Sequence, residues 1–182
     1  MHERRYHNRG WFVIPSSDPL FLSIVAVHVL LGIGSSATRL LAMLSAKAPG
    51  RHPRFGTLYF RLLASLFATA TALSVMRWAH AYPLFIIGAF SFTTAVIGRE
   101  ARRRRVRGWE RLHIAGMGSS YVLMLIAFYV DNGKQLPPLN QLPHWTYWAL
   151  PAIIGAPIII WALVRHPLVR QQGFQSTDAT DD

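Results

Sequence analysis

The sequence predicts an all-α integral membrane protein, a bundle of five transmembrane helices. Three observations carry that expectation. Residues 19–38, 62–76, 78–98, 112–130 and 145–164 contain no Lys, Arg, Asp or Glu. A bilayer core takes about 20 apolar residues of helix to cross, and in lipid only a helix or a closed barrel satisfies its own backbone. Charged residues make up only 15% of the chain against 52% hydrophobic, well under the roughly one quarter charged of an average soluble domain. Finally, seven of the nineteen basic residues crowd into 99–111, between the third and fourth apolar stretches.

Taken in order, residues 1–18 form a polar N-terminal segment carrying Arg4, Arg5 and Arg9. They resemble the basic flank of a signal peptide. The apolar run behind them reaches span length without an A-x-A site, so it is expected to stay as the first helix, from about Leu20 to Leu44. Its tail, 39–43, is expected to leave the membrane. Pro49, Gly50 and Pro53 mark a loop, and the second helix is expected over 57–78. A tight turn at 80–83 leads to the third helix, ending near Gly98, before the arginine linker. The fourth helix is expected over 109–130. The Pro-rich loop 131–143 precedes the fifth, 145–164, which Pro151 and Pro157 should bend. The transmembrane domain thus covers 19–166, and 167–182 reads as a polar, disordered tail.

The net charge of +11 is concentrated in a linker between spans, where it meets anionic lipid head groups rather than nucleic acid. There is no cysteine, which excludes disulfides and thiolate-held metal or iron–sulfur sites. Lys47, Arg51, Arg54, Arg165 and Arg170 fall on the same side as the linker. The positive-inside rule therefore puts that side in the cytoplasm, with the N-terminus out and the C-terminus in. Trp11, Trp78, Tyr82, Tyr129, Trp145, Tyr147 and Trp148 would form the aromatic belt of the opposite interface.

Polar residues at membrane depth invite functional hypotheses. On the first helix His28, Gly32, Ser35, Ser36 and Arg39 share a face. Arg61, Ser65, Thr69 and Ala72 do so on the second, Gly88, Ser91, Ala95 and Gly98 on the third, and His113, Met117, Ser120, Tyr121 and Met124 on the fourth. Small residues at such positions let helices approach closely, and Ser and Thr bond across the contact. His28, Arg61 and His113 are harder to assign to packing. At about 1.5 Å rise per residue, His52 and His113 share a level at the inner interface. His28 lies roughly 16 Å deeper, nearer Ser120 or Tyr121. Haem b held by imidazoles, with arginines on its propionates, a zinc or copper site on His28, His52 and His113, and a metal-free quinone or lipid site all use such residues. Arg54, Arg61 and Tyr121 complete the candidate cofactor-binding set. No H-E-x-x-H, P-loop or nucleophile elbow is present.

His28 with Gly32, then His52-Pro53-Arg54-Phe55-Gly56, then His113 after a basic linker, resemble a bacterial family of small membrane proteins of unknown function. Its members carry a His in the first span, an H-R-x-x-G-like element opening the next, and a further His after a basic linker. The resemblance spans about 21–163, with the Arg displaced here by one position. It implies a bacterial inner-membrane location and no particular activity. The His-bearing bundle is also similar in style to di-haem membrane cytochromes of the b type. The leading expectation is therefore a histidine-dependent, cofactor-binding membrane protein of redox type, with haem b favoured and a membrane redox partner or oligomer implied. The alternatives are an accessory or assembly protein whose polar residues only fix packing, and a metal-dependent membrane hydrolase.

Overall fold

The computed structural model describes residues 18–46, 50–137 and 139–165. Helix α1 spans Pro19–Leu44, α2 Arg51–Met76, α3 Trp78–Arg104, α4 Trp109–Asn132 and α5 His144–Arg165. All five are long and apolar enough to cross a membrane, so the chain is an all-α, multi-pass membrane protein. Segment 1–17, with its arginines and Trp11, and the tail 167–182 lie outside the described residues, as do Lys47, His166 and Arg170.

Each helix packs on the next in sequence, and the α3–α4 and α1–α2 pairs are the most extensive. Short connections make successive helices antiparallel. The C-terminal ends of α1, α3 and α5 thus share one end of the bundle with the N-terminal ends of α2 and α4. Asp18 starts α1 by accepting from the Leu20 amide at 3.0 Å, and Pro19 fills the first helical position, where a missing N–H is harmless.

Several boundaries differ from the sequence expectation. Helix α2 begins six residues early, at Arg51, because Pro53 sits in its first turn, where no amide partner is needed. No turn forms at 80–83. The chain breaks at Arg77 instead (φ −139°, ψ 47°), and Pro83 is absorbed near the start of α3. Helix α3 runs past Gly98 to Arg104, so the arginine linker is partly helical. It stops where Arg105 turns left-handed (φ 51°) and Val106 N–H reaches back to the Ala101 carbonyl. Left-handed Gly108 (φ 72°) then starts α4, a conformation glycine takes without a Cβ penalty. The loop after α4 contains two single 3₁₀ turns.

The core is a cluster of Tyr59, Leu63 and Leu66 on α2, Ala95 on α3, and Met117 and Met124 on α4. The expected small-residue face of α3 is buried: Ser91, Ala95 and Gly98 all face inward. Two of the expected faces need correcting. On α2, Arg61, Ser65 and Ala72 are exposed, and the inward face is the apolar one. Arg61 can extend its guanidinium toward the interface, which the lipid-facing side permits. Tyr147 does not join an interfacial belt. It is buried, its ring lies against Gly133, and its hydroxyl donates to the Leu139 carbonyl at 2.8 Å. Trp78, Tyr82, Trp145 and Trp148 remain exposed at that end.

Candidate functional site, a basic pocket at one end of the bundle

The arginine-rich end holds an open cavity of about 320 Å³. Its walls come from four helices: Arg39 on α1, His52, Pro53, Gly56 and Thr57 on α2, Arg99, Arg102 and Arg103 on α3, and His113 and Met117 on α4, with Arg105 at the turn. No carboxylate lines it.

His52 and His113 thus meet at one site, as their shared level suggested. His52 Nδ1 lies 2.7 Å from the Ala42 carbonyl, and His113 Nδ1 lies 2.9 Å from the Gly98 carbonyl. A carbonyl can only accept, so each Nδ1 carries the proton and donates it. In a neutral ring this leaves Nε2 with its lone pair. A backbone carbonyl fixing the tautomer of an imidazole is the arrangement that orients histidine ligands and bases.

The position of His113 depends on an unusually close helix contact. A Cβ on Gly116 would lie 2.6 Å from the Thr94 carbonyl oxygen and 2.8 Å from Gly98 Cα. A Cβ on Gly98 would lie 2.9 Å from the Met117 amide. The two backbones touch, which brings the Gly98 carbonyl within reach of His113 across 15 residues of sequence.

Arg39 is the residue that the sequence reading underplayed. Helix α1 ends at Leu44 as expected, but Arg39, on the tail 39–43 expected to leave the membrane, is buried, with 9% of its surface exposed. Its guanidinium stands 5.6 Å from the centre of the Tyr59 ring, and its Nε has no hydrogen-bond partner. The signal was its place on the His28–Ser35 face, one turn beyond Ser35. Other pocket arginines also rest on aromatic faces: Arg99 on Phe60 at 4.6 Å and Arg105 on Trp109 at 5.0 Å. Among the described residues, the salt bridges are those of Glu100 with Arg103 and Arg104.

The remaining candidates do not line the cavity. Arg54 and Arg61 are exposed. Tyr121 does not line the cavity and packs instead against the core cluster. His28 meets neither Ser120 nor Tyr121. Its Nδ1 lies 2.8 Å from Thr69 Oγ1. The Thr69 hydroxyl donates to the Leu66 carbonyl at 2.9 Å, so His28 is the donor to Thr69. Ser120 instead pairs with Tyr59 at 2.9 Å and donates to the Met117 carbonyl, which makes Tyr59 the donor. Ser91 closes this buried network by donating to the Ser120 carbonyl at 2.7 Å. Helices α2, α3 and α4 are therefore tied together directly below the pocket.

The structure does not gather the three histidines expected to share a metal. Among the described residues no cluster of three or more His, Asp or Glu is placed to hold a metal ion. His28 is a tie between α1 and α2. His28→Ala should lower stability by about 1 kcal/mol, the scale of an interhelical hydrogen bond in a membrane, and leave ligand binding at the pocket unchanged. Thermal melting in detergent, with a ligand titration on the same variant, measures both. Loss of binding in a folded variant would return His28 to the site.

Comparison with protein-family models, with curated proteins and with solved structures finds no match to the chain.

Proposed function

We propose that this protein binds an anionic amphiphile, with the negatively charged end of the ligand in the arginine–histidine pocket and its apolar part along the helices. The observation that carries this reading is Arg39. A buried guanidinium without an acidic partner is unfavourable, and an anion in the cavity would supply the missing charge and acceptors. Location agrees, because the pocket lies at the bundle end where polar head groups meet apolar chains. In this reading the protein sits in a bacterial inner membrane with the pocket on the cytoplasmic face, where the positive-inside rule puts the arginines.

The test is co-purification. The protein is extracted in mild detergent, and its bound small molecules are identified by mass spectrometry. Wild type should retain an anionic amphiphile that Arg39→Gln loses. Retention of only neutral lipid by both would refute the reading.

One observation favours haem b as that ligand. His52 and His113 both line the cavity, each with its Nδ1 proton held by a backbone carbonyl, the kind of second contact that orients an axial imidazole. The pocket arginines suit propionates. Haem, when bound, supplies one-electron chemistry, and the chain's own residues would ligate, anchor and orient it. A Soret band in the purified protein, lost in His113→Ala, is the expected signature of this variant of the proposal. Its absence after addition of haemin removes haem and leaves the broader anion reading to co-purification. An accessory role without ligand is the outcome if both experiments are negative.

A further inference from the structure

Resting on the anion reading, we propose that the pocket is selective for a phosphomonoester, a dianionic phosphate carried on a lipid or free. Charge comes first. Five arginines from α1, α3 and the turn after α3 line the cavity, and no Asp or Glu does. Glu100, the acidic residue nearest in sequence, is turned to Arg103 and Arg104 on its own helix. A single negative charge leaves most of this field unanswered. A phosphomonoester carries about −1.5 to −2 near neutral pH and three acceptor oxygens.

The way the arginines are held points in the same direction. Arg39, Arg99 and Arg105 rest on the rings of Tyr59, Phe60 and Trp109. Stacking uses the face of a guanidinium and leaves its in-plane N–H donors available to acceptors. The arginines reach one cavity from three different elements, an arrangement that suits a tetrahedral group better than the flat carboxylate of a fatty acid. Arg39 is the most buried of the five, with 9% of its surface exposed. One turn further in, the fully buried Ser35 Oγ lacks a partner, as does the Arg39 Nε. His113, whose Nδ1 donates to the Gly98 carbonyl, adds an imidazole to the lining, and its Nε2 is an acceptor suited to a protonated phosphate oxygen or a head-group hydroxyl.

The experiment uses the full chain in dodecyl maltoside micelles doped with phosphatidic acid, with phosphatidylglycerol at matched negative charge, or mixed with inorganic phosphate. Thermal melting reports binding. Phosphatidic acid should half-saturate at about tenfold lower concentration than the diester lipid, and Arg39→Gln should abolish the difference. Arg99→Gln, at a half-buried position, should weaken it too and serves if Arg39→Gln fails to fold. If inorganic phosphate stabilises as strongly as phosphatidic acid, the source is free phosphate and the assignment of a dianionic phosphate group stands. Equal effects of the two lipids at matched charge would overturn it. So would an unchanged preference in both variants. An anionic amphiphile that co-purifies without any preference for the monoester defeats this inference alone. No co-purifying ligand and no stabilisation by any probe defeats the anion reading as well.

Discussion

Gly116→Ala is expected to destabilise the folded bundle by about 3 kcal/mol, at the upper end of overpacking costs. The new methyl would lie 2.6 Å from the Thr94 carbonyl oxygen and 2.8 Å from Gly98 Cα. Both are backbone atoms of α3, so no rotamer change relieves the clash and the helices must separate. Elsewhere the neighbours are side chains. A Cβ on Gly118 meets Ile159 and one on Gly155 meets Val122, contacts that repacking can partly absorb. The α3–α4 contact therefore sets the largest single glycine effect. Against a typical total of about 5–15 kcal/mol, it should appear as a large drop in melting temperature in detergent. Helix separation would also pull the Gly98 carbonyl from His113 Nδ1, now 2.9 Å away. Ligand binding should then fall even at temperatures where Gly116→Ala remains folded. A variant with wild-type stability would mean that the helices already stand further apart. Gly98→Ala strains the same contact, so the double substitution should cost less than the two single effects together.

That contact shows what patterning conveys and what it omits. Ser91, Ala95 and Gly98 recur at helical spacing, and their small size announces a close approach on α3. Nothing local names Gly116 as the other side, since it lies between His113 and Met117 in a run that also offers Gly118. Span number follows from charge-free length alone, so five helices are legible. Their ends are less so, because Pro53 and Pro83 signal turns, yet Pro53 fits the first turn of α2, where the amide it lacks has no partner, and α3 carries Pro83 at its sixth residue at the loss of one helical bond. The shared level of His52 and His113 follows from counting residues from the charged linker. The burial of Arg39 does not, for an arginine five residues from a helix end can equally reach the interface. On α2 the same ambiguity misleads. Arg61 and Ser65 mimic an inward polar face, while Tyr59, which is buried and joins Ser120, looks from sequence like an interfacial aromatic. Which of two arginines turns inward depends on long-range packing that spacing cannot express.

Arg39→Met is expected to raise stability and abolish anion binding together. In the ligand-free protein the Arg39 guanidinium is buried, and it makes no salt bridge among the described residues. Its Nε has lost water without gaining a partner, a situation that costs about 1–3 kcal/mol. The stabilising contact that methionine would forfeit is the stacking on Tyr59, at 5.6 Å from the ring centre, worth about 2 kcal/mol for a desolvated arginine. Methionine keeps most of the stem's volume, and its sulfur also packs favourably against an aromatic ring. These two terms nearly cancel, and the remaining cost of burying the charge itself tips the balance toward the variant, in line with the neutral-to-stabilising effect, up to about 4 kcal/mol, of replacing buried ionic groups by apolar ones. Melting in ligand-free detergent should show the rise, and the same sample should lose its response to phosphatidic acid. The order of the two proteins should then invert once ligand is added, because bound anion stabilises only the chain that retains Arg39. A fall in stability without ligand would assign Arg39 to the packing of the bundle. A residue that is unfavourable in the empty protein and favourable in the loaded one is held there by binding.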